Sequence, residues 1–357
     1  MSACIIAAAK TTDGQPAGGH HSLVDCQTIQ VQLSEAGINI HHLTIDPLST
    51  DWHSPLPPGH FRSGAAPTEA LTQALSILES PDTAVVISGH DPLRTGYDKS
   101  ERAGRMAIYG QDYSLIDAYT DLSKTFANHH GFSHSQFRRF AQALYDNYLQ
   151  TFSEQYPDAS QPGAAWFKPV SNLFRGVDCA NPVQDFSGQL ILCNTKTADR
   201  LAIPLSQRVE VLGASCITLP EDGKAAIPEI VQYQHLQSAF QQACQQANID
   251  FRKECICGNA ILDVYTCFPV VPMAFLLKTG FVSSADALPH FLAEYPVTVS
   301  GGMNLAKGPW NNPALSSLID CYDALTSGRS RLAGVHGNGG LGYKQGFVIL
   351  AATDAPL

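Results

Sequence analysis

The side chains whose type and position allow chemistry lie close to glycine. His336 opens the run His336-Gly337-Asn338-Gly339-Gly340-Leu341-Gly342, a second run reads Ser300-Gly301-Gly302, and Ser63-Gly64 precedes a helix opening at Ala65-Ala66-Pro67. Glycine has no Cβ to clash, so such backbone folds tightly and approaches a ligand closely. An imidazole at a strand end beside a glycine turn can take or give a proton; as a lone histidine, His336 can equally be a core residue. Ser63 can be a nucleophile, although no sequence neighbour activates it and a serine before a helix is commonly a cap. Tyr265, in Asp263-Val264-Tyr265-Thr266-Cys267-Phe268-Pro269, can donate to an oxyanion or fill space at the end of a core strand.

Other motifs lead nowhere. Residues 337–342 match Gly-x-Gly-x-x-Gly, but they run into a strand at 346–350, and a dinucleotide fingerprint needs strand, turn and helix in that order. There is no Gly-x-Ser-x-Gly elbow and no P-loop. Cys255-Ile256-Cys257 with Cys267 has the wrong spacing for a zinc ribbon, and its strand-like flanks make these buried thiols. No metal site is expected; His41, His42, His53 and His60 read as surface-loop histidines.

Composition narrows the class. The chain has 357 residues, 44% hydrophobic and 15% charged, with a net charge of −10; that is a compact globular protein. Without a Lys/Arg run, nucleic acid and anionic membranes are excluded as partners. A single anionic ligand remains acceptable, held by local cations and helix N-termini. The longest apolar run, 268–277, is too short to span a bilayer and contains two prolines. Residues 1–10 lack a basic n-region and read as a first buried strand. Ten cysteines without a disulfide framework fit a reducing, cytoplasmic setting.

The chain repeats itself. Apolar periodicity predicts a helix over 23–36 that stops at Gly37, and another over 236–247 that stops at Asn248. Ser63-Gly64 leads to a helix through Leu78, the apolar strand 84–88, then Gly89-His90; Ser300-Gly301-Gly302 leads to a helix over 314–325, a strand over 331–335, then His336-Gly337. Short apolar strands alternating with helices imply a covered, mostly parallel sheet. The expected organisation is a first half, 1–225, with an inserted region over 94–175, and a second half, 226–357. The insert is rich in Tyr, Phe, Gln, His and Asp and holds one amphipathic helix, 134–156, capped by Ser133 or Ser135. Strands are expected at 188–193, 208–212 and 216–219.

With these residues in place, the chain resembles the thiolase superfamily, in its acetyl-CoA acetyltransferase branches. The resemblance covers most of the sequence and is strongest after His235. It rests on the two glycine loops, on the strand-end motif 263–269, and on Gly308-Pro309-Trp310-Asn311-Asn312; a weaker match is Asp178-Cys179-Ala180-Asn181-Pro182 with Asp185 and Gly188. It implies an α/β, thiolase-like fold of duplicated halves in alternating α/β layers with an inserted loop domain. It implies coenzyme A or an acyl-CoA as substrate or ligand, no tightly bound cofactor, and a homodimer or higher oligomer. Gly301, Gly302, Asn311, Asn338, Gly339 and Gly340 would bind substrate. Two departures matter: no cysteine stands in 59–66, where the family's nucleophile precedes a helix, and Pro309 replaces the histidine of Gly-His-Pro. The expectation is therefore thioester C–C chemistry without an acyl-cysteine, with His336, Tyr265 and Ser63 as candidate catalytic residues, or lost activity. Two alternatives stay open: a non-catalytic CoA-binding or scaffold subunit with a partner subunit, and an ordinary thiolase whose cysteine is Cys179 or Cys267.

Overall fold

Strand formation follows the apolar runs. The computed structural model describes residues 2–17, 21–181 and 183–353, so Pro182 of the weaker motif lies outside the described residues. Among the described residues there are ten strands: β1 (Ala3–Thr12), β2 (Gln15–Pro16), β3 (Asn39–Ile45), β4 (His60–Phe61), β5 (Thr83–Pro92), β6 (Asp185–Asn194), β7 (Val209–Thr218), β8 (Ala260–Asp263), β9 (Leu332–Gly339) and β10 (Lys344–Ala352). They form one sheet in the order β4-β3-β5-β6-β1-β7-β10-β9-β8, with β2 paired to β1.

The pairing pattern repeats about the middle of that sheet. β1 runs antiparallel to β6, β6 antiparallel to β5, and β5 parallel to β3. In the second half β7 runs antiparallel to β10, β10 antiparallel to β9, and β9 parallel to β8. The halves meet where Cys4 pairs with Glu210 and Ile5 with Val209.

Helices cover the sheet in matching places. α1 (Leu23–Glu35) and α2 (Ala66–Ile77) serve the first half. Between β5 and β6 come α3 (Leu115–His130) and α4 (His134–Gln155); α5 (Gln234–Ala247), α6 (Val270–Lys278) and α7 (Pro313–Thr326) follow. α2 and α7 touch each other and strands of both halves, so they form the central layer. Leu71, Leu315, Leu318, Ile319 and Tyr322 pack there against Val335, Val348 and Leu350; each fully buried side chain of this kind contributes about 1.5–3 kcal/mol. α1 covers the outer face of the first half and α5 that of the second. This is the duplicated, layered α/β fold expected from sequence, but the sheet is not mostly parallel: among the described residues only β3–β4, β3–β5 and β8–β9 pair in parallel. The strands at its centre are antiparallel, and a turn as short as that between β9 and β10 can join only antiparallel neighbours.

Several local expectations change. The strands 208–212 and 216–219 are one strand, β7; a bulge opposite Ile349 and Leu350 lets it pass Gly213 without a break. The insert holds two long helices, not one. α3 starts with a capping box from Ser114 and Asp117, yet it buries Thr120 and Ser123 on its inner face, which interrupts the apolar stripe. α4 begins after Ser133, whose side chain accepts from Gln136 N. The flanks of Cys255 are helical, Phe251–Ile256, capped by Asp250, and Cys257 is exposed rather than buried. His41 and His42 lie in β3 rather than a loop, and His60 in β4.

Candidate functional site

Where β8 ends, the chain turns inward as Val264-Tyr265-Thr266-Cys267-Phe268 and then enters α6. The β9–β10 turn, Gly340–Tyr343, the start of α2 and the loop before α7 converge on the same place. Together with the insert they enclose a cavity of about 530 Å³. Its inner end is lined by Gly64, Tyr265, Cys267, Tyr119, Asn338 and Gly340, its outer walls by Trp52, Trp166, Trp310, Met106 and Met303 among others. No charged side chain lines it among the described residues.

Tyr265 and Gly64 make the decisive contact. A Cβ built on Gly64 would lie 2.0 Å from the Tyr265 hydroxyl and 2.4 Å from the Asn338 carbonyl oxygen. The phenol therefore fills the space that a side chain at the start of α2 would use. That hydroxyl has no hydrogen-bond partner among the described residues, and burial raises its pKa well above the ordinary tyrosine value. It is a neutral phenol with a free donor, at the positive end of the α2 dipole.

Around it runs a polar chain. The His336 Nδ1 accepts from the Tyr265 backbone N–H at 3.4 Å, so the proton sits on Nε2, which donates to Gln345 Oε1 at 2.8 Å. Gln345 Nε2 in turn donates to Asn338 Oδ1 at 2.6 Å. This turns the Asn338 amide nitrogen toward the Tyr119 hydroxyl and the Gly340 carbonyl, each at 3.4 Å. Tyr119 donates to Gly340 O at 2.6 Å, accepts from the Cys267 thiol at 3.3 Å, and stacks on Phe268 with centroids 3.9 Å apart.

The candidates thus separate. Tyr265, Asn311, Asn338 and Gly340 line the cavity. His336 does not; its ring packs 4.7 Å from Phe275, both nitrogens are engaged, and burial pushes its pKa down to about 4. Ser63 is fully buried at φ +127°, with Oγ accepting from Ala65 N at 3.3 Å; the strain of that backbone presents Gly64, not Ser63, to the cavity. Gly339 backs onto Ser63, Gly301 (φ +91°) onto Phe152 of α4, and Gly302 onto Thr266. Asn311 Nδ2 donates to Asp46 O at 2.8 Å.

Both cysteines weighed as displaced nucleophiles, Cys179 and Cys267, reach the cavity wall. Neither is activated: burial raises both thiols, Cys267 to about 12, whereas a nucleophilic cysteine needs a lowered pKa. Tyr119 and Trp52 carry no sequence signal as site residues, and Trp310 is marked only as part of the motif 308–312. The capping box before α3 was the available signal for Tyr119's helix; no pattern marks Trp52. Among the described residues no cluster of three or more His, Cys, Asp or Glu could hold a metal, and no helix is long and apolar enough to cross a membrane.

The sequence matches no protein-family model and no curated protein. Solved structures do match. A protein described as a monomeric SCP2-thiolase like protein type 1 from Mycobacterium smegmatis superposes with a TM-score of 0.67 at 17% identity, covering 99% of this chain and 78% of that one. This chain has a thiolase-like fold. A chain of the Ltp2-ChsH2(DUF35) aldolase superposes with a TM-score of 0.65 at 14% identity, covering 99% of this chain and 98% of that one.

Proposed function

We propose that this thiolase-like protein binds an acyl thioester in the cavity and makes or breaks a C–C bond beside the thioester carbonyl without forming an acyl-enzyme. The observation that carries the reading is the Tyr265 phenol standing in the space of a position-64 side chain. A covalent route needs an activated nucleophile there, and glycine offers none. A neutral phenol with a free O–H instead supplies a hydrogen-bond donor for charge developing on a thioester oxygen.

The other residues support that role. The His336–Gln345–Asn338 chain holds the Asn338 amide nitrogen at the inner end of the cavity. His336 is then a positioning residue, neutral at physiological pH. The uncharged walls suit the acyl group and the pantetheine arm, leaving any phosphates outside. Coenzyme A or an acyl-CoA is the ligand class that the resemblance implies, and acetyl-CoA acetyltransferase-like chemistry its nearest relative.

A second reading has its own observation. Ile116, Trp166, Phe167 and Val170 are exposed at or beside the cavity mouth, an apolar rim of the kind that meets a partner. Under this reading the chain is a CoA-binding or scaffold subunit completed by another polypeptide, in a homodimer or a mixed oligomer.

Thermal unfolding with and without millimolar CoA, acetyl-CoA and acetoacetyl-CoA, followed by intact-protein mass measurement, tests the proposal. A ligand at about a hundred times its Kd adds roughly 2.7 kcal/mol. The expected result is a raised midpoint with an acyl-CoA and no acyl adduct. A covalent adduct refutes the non-covalent route. No shift with any of the three refutes thioester binding by the isolated chain and favours the second reading.

A further inference from the structure

We infer that Arg62 is a positioning residue: it ties the segment 46–59 across the cavity so that Trp52 forms its outer wall. This segment joins β3 to β4, has no regular structure and contains four prolines, Pro47, Pro55, Pro57 and Pro58. None of residues 49–60 is buried. Beyond Leu48, which is buried near the segment's start, hydrophobic packing therefore does not hold it, and its place depends on polar ties.

Arg62 supplies most of these. Its side chain is 5% exposed. Nη1 donates to the carbonyl oxygens of Asp51, Trp52 and Ser54 at 2.5, 2.9 and 3.0 Å. Nε and Nη2 both donate to Asp46 Oδ2, at 3.1 and 2.8 Å. One guanidinium thus grips the start and the middle of the segment. Its planar fork makes this possible; a lysine has one point of charge and cannot reach both sets.

The grip reaches the cavity from two sides. Trp52 packs edge-on against Trp310, with centroids 6.5 Å apart, and both line the wall. The Asp46 carbonyl accepts from cavity-lining Asn311. Arg62 also lies two residues before Gly64, so the tie is continuous with the cavity floor. Lesser ties are His53 Nε2 to Ile108 O at 3.0 Å, Leu48 N to Asp91 at 2.7 Å and Arg105 Nη1 to Ser49 O at 2.9 Å, the last from an exposed side chain.

Another arginine offers a matched control. Arg208 is as buried as Arg62 and also bonds a carbonyl and a carboxylate, Ile203 O and Asp199, but it does not touch the cavity. The test compares Arg62→Lys with Arg208→Lys in the full chain. One readout is backbone amide exchange in 49–56; the other is binding and release of N-phenyl-1-naphthylamine, an uncharged apolar fluorophore suited to an uncharged cavity. Loss of charge-assisted bonds is expected to speed exchange in 49–56 and probe release about tenfold in Arg62→Lys. Arg208→Lys should lower the melting temperature and leave both readouts at wild-type values.

Equal behaviour of the two variants overturns the inference, as does a wild type that never binds the probe saturably. Should Arg62→Lys fail to fold, Trp52→Ala takes its place: about tenfold weaker probe binding is expected, and unchanged affinity overturns the inference. None of these readouts depends on thioester binding, so they fail or succeed separately from the proposed function.

Discussion

The two halves of the sheet pair their strands in the same way, yet join one equivalent pair differently. β9 and β10 are connected by Gly340–Tyr343, whereas β5 and β6 are connected by residues 93–184. The short connection forces a tight turn with Gly340 and Gly342 at positive φ, and it presents Asn338 and Gly340 to the cavity. The long connection supplies α3, α4 and the opposite wall, including Tyr119 and Trp166. A repeated scaffold thus fixes where the site lies, and unequal connections decide what fills it. The starts of the equivalent helices differ in the same sense. α2 begins with a bare glycine against a phenol, and α7 begins after Asn311, which faces the cavity.

Changes at the inner end should break this asymmetry most. Tyr265→Phe removes the free donor while keeping the ring, and turnover of an acyl thioester substrate should fall by about 10²–10³-fold, with little change in melting temperature. Equal activity would place the charge-stabilising donor elsewhere. Next comes His336→Asn. The buried imidazole is depressed to about 4 from an ordinary value of 6.5, so the unfolded chain takes up the proton first as pH falls. The stability His336 contributes is present above pH 6.5 and is lost between 6.5 and 4, by about 3 kcal/mol. Asp91 and Asp263, both raised to about 6 by burial, act oppositely; their share is present below 3.8 and lost as pH rises through 6. The wild-type-minus-variant difference in denaturant unfolding isolates the histidine: it should shrink from pH 6.5 to pH 4, and a flat difference would contradict the assignment.

Gly64→Ala sharpens the comparison at a smaller scale. The added methyl meets both the phenol and the Asn338 carbonyl, and overpacking of this kind costs about 1–3 kcal/mol. In a Tyr265→Ala background the cost should drop but not vanish, because the carbonyl remains; strictly additive losses would show that the two positions do not compete for space. Smallest of all, Cys267→Ala should change turnover less than about threefold, since its buried thiol is neutral at working pH. A loss as large as that of Tyr265→Phe would return the sulfur to consideration as nucleophile.

Much of the fold was legible because its elements obey local rules. The periodic stripes of α1 and α5, the left-handed stops at Gly37 and Asn248, and the apolar runs of β5 and β9 each carry their own signal. What escaped was tertiary in origin. α3 buries Thr120 and Ser123 on its inner face, and β7 continues past Gly213 only because a bulge in its pairing with β10 absorbs the offset. The site divides similarly. Tyr265, Asn338 and Gly340 lie in motifs that read as loop or strand-end chemistry. The direction of the His336 ring is set by Phe275, Gln345 and the Tyr265 backbone, none adjacent to it in sequence. Trp52 reaches the wall through the Arg62 tie, which leaves no periodicity or motif behind.

All three tryptophans of the chain, Trp52, Trp166 and Trp310, line the cavity, so intrinsic fluorescence reports on its occupancy directly. Titration of the wild-type protein with acetoacetyl-CoA, read by tryptophan emission, tests thioester binding most directly. The account predicts a saturable change in emission that reverses on dilution. No saturable change, or one that persists after the ligand is removed, would contradict a non-covalent thioester site.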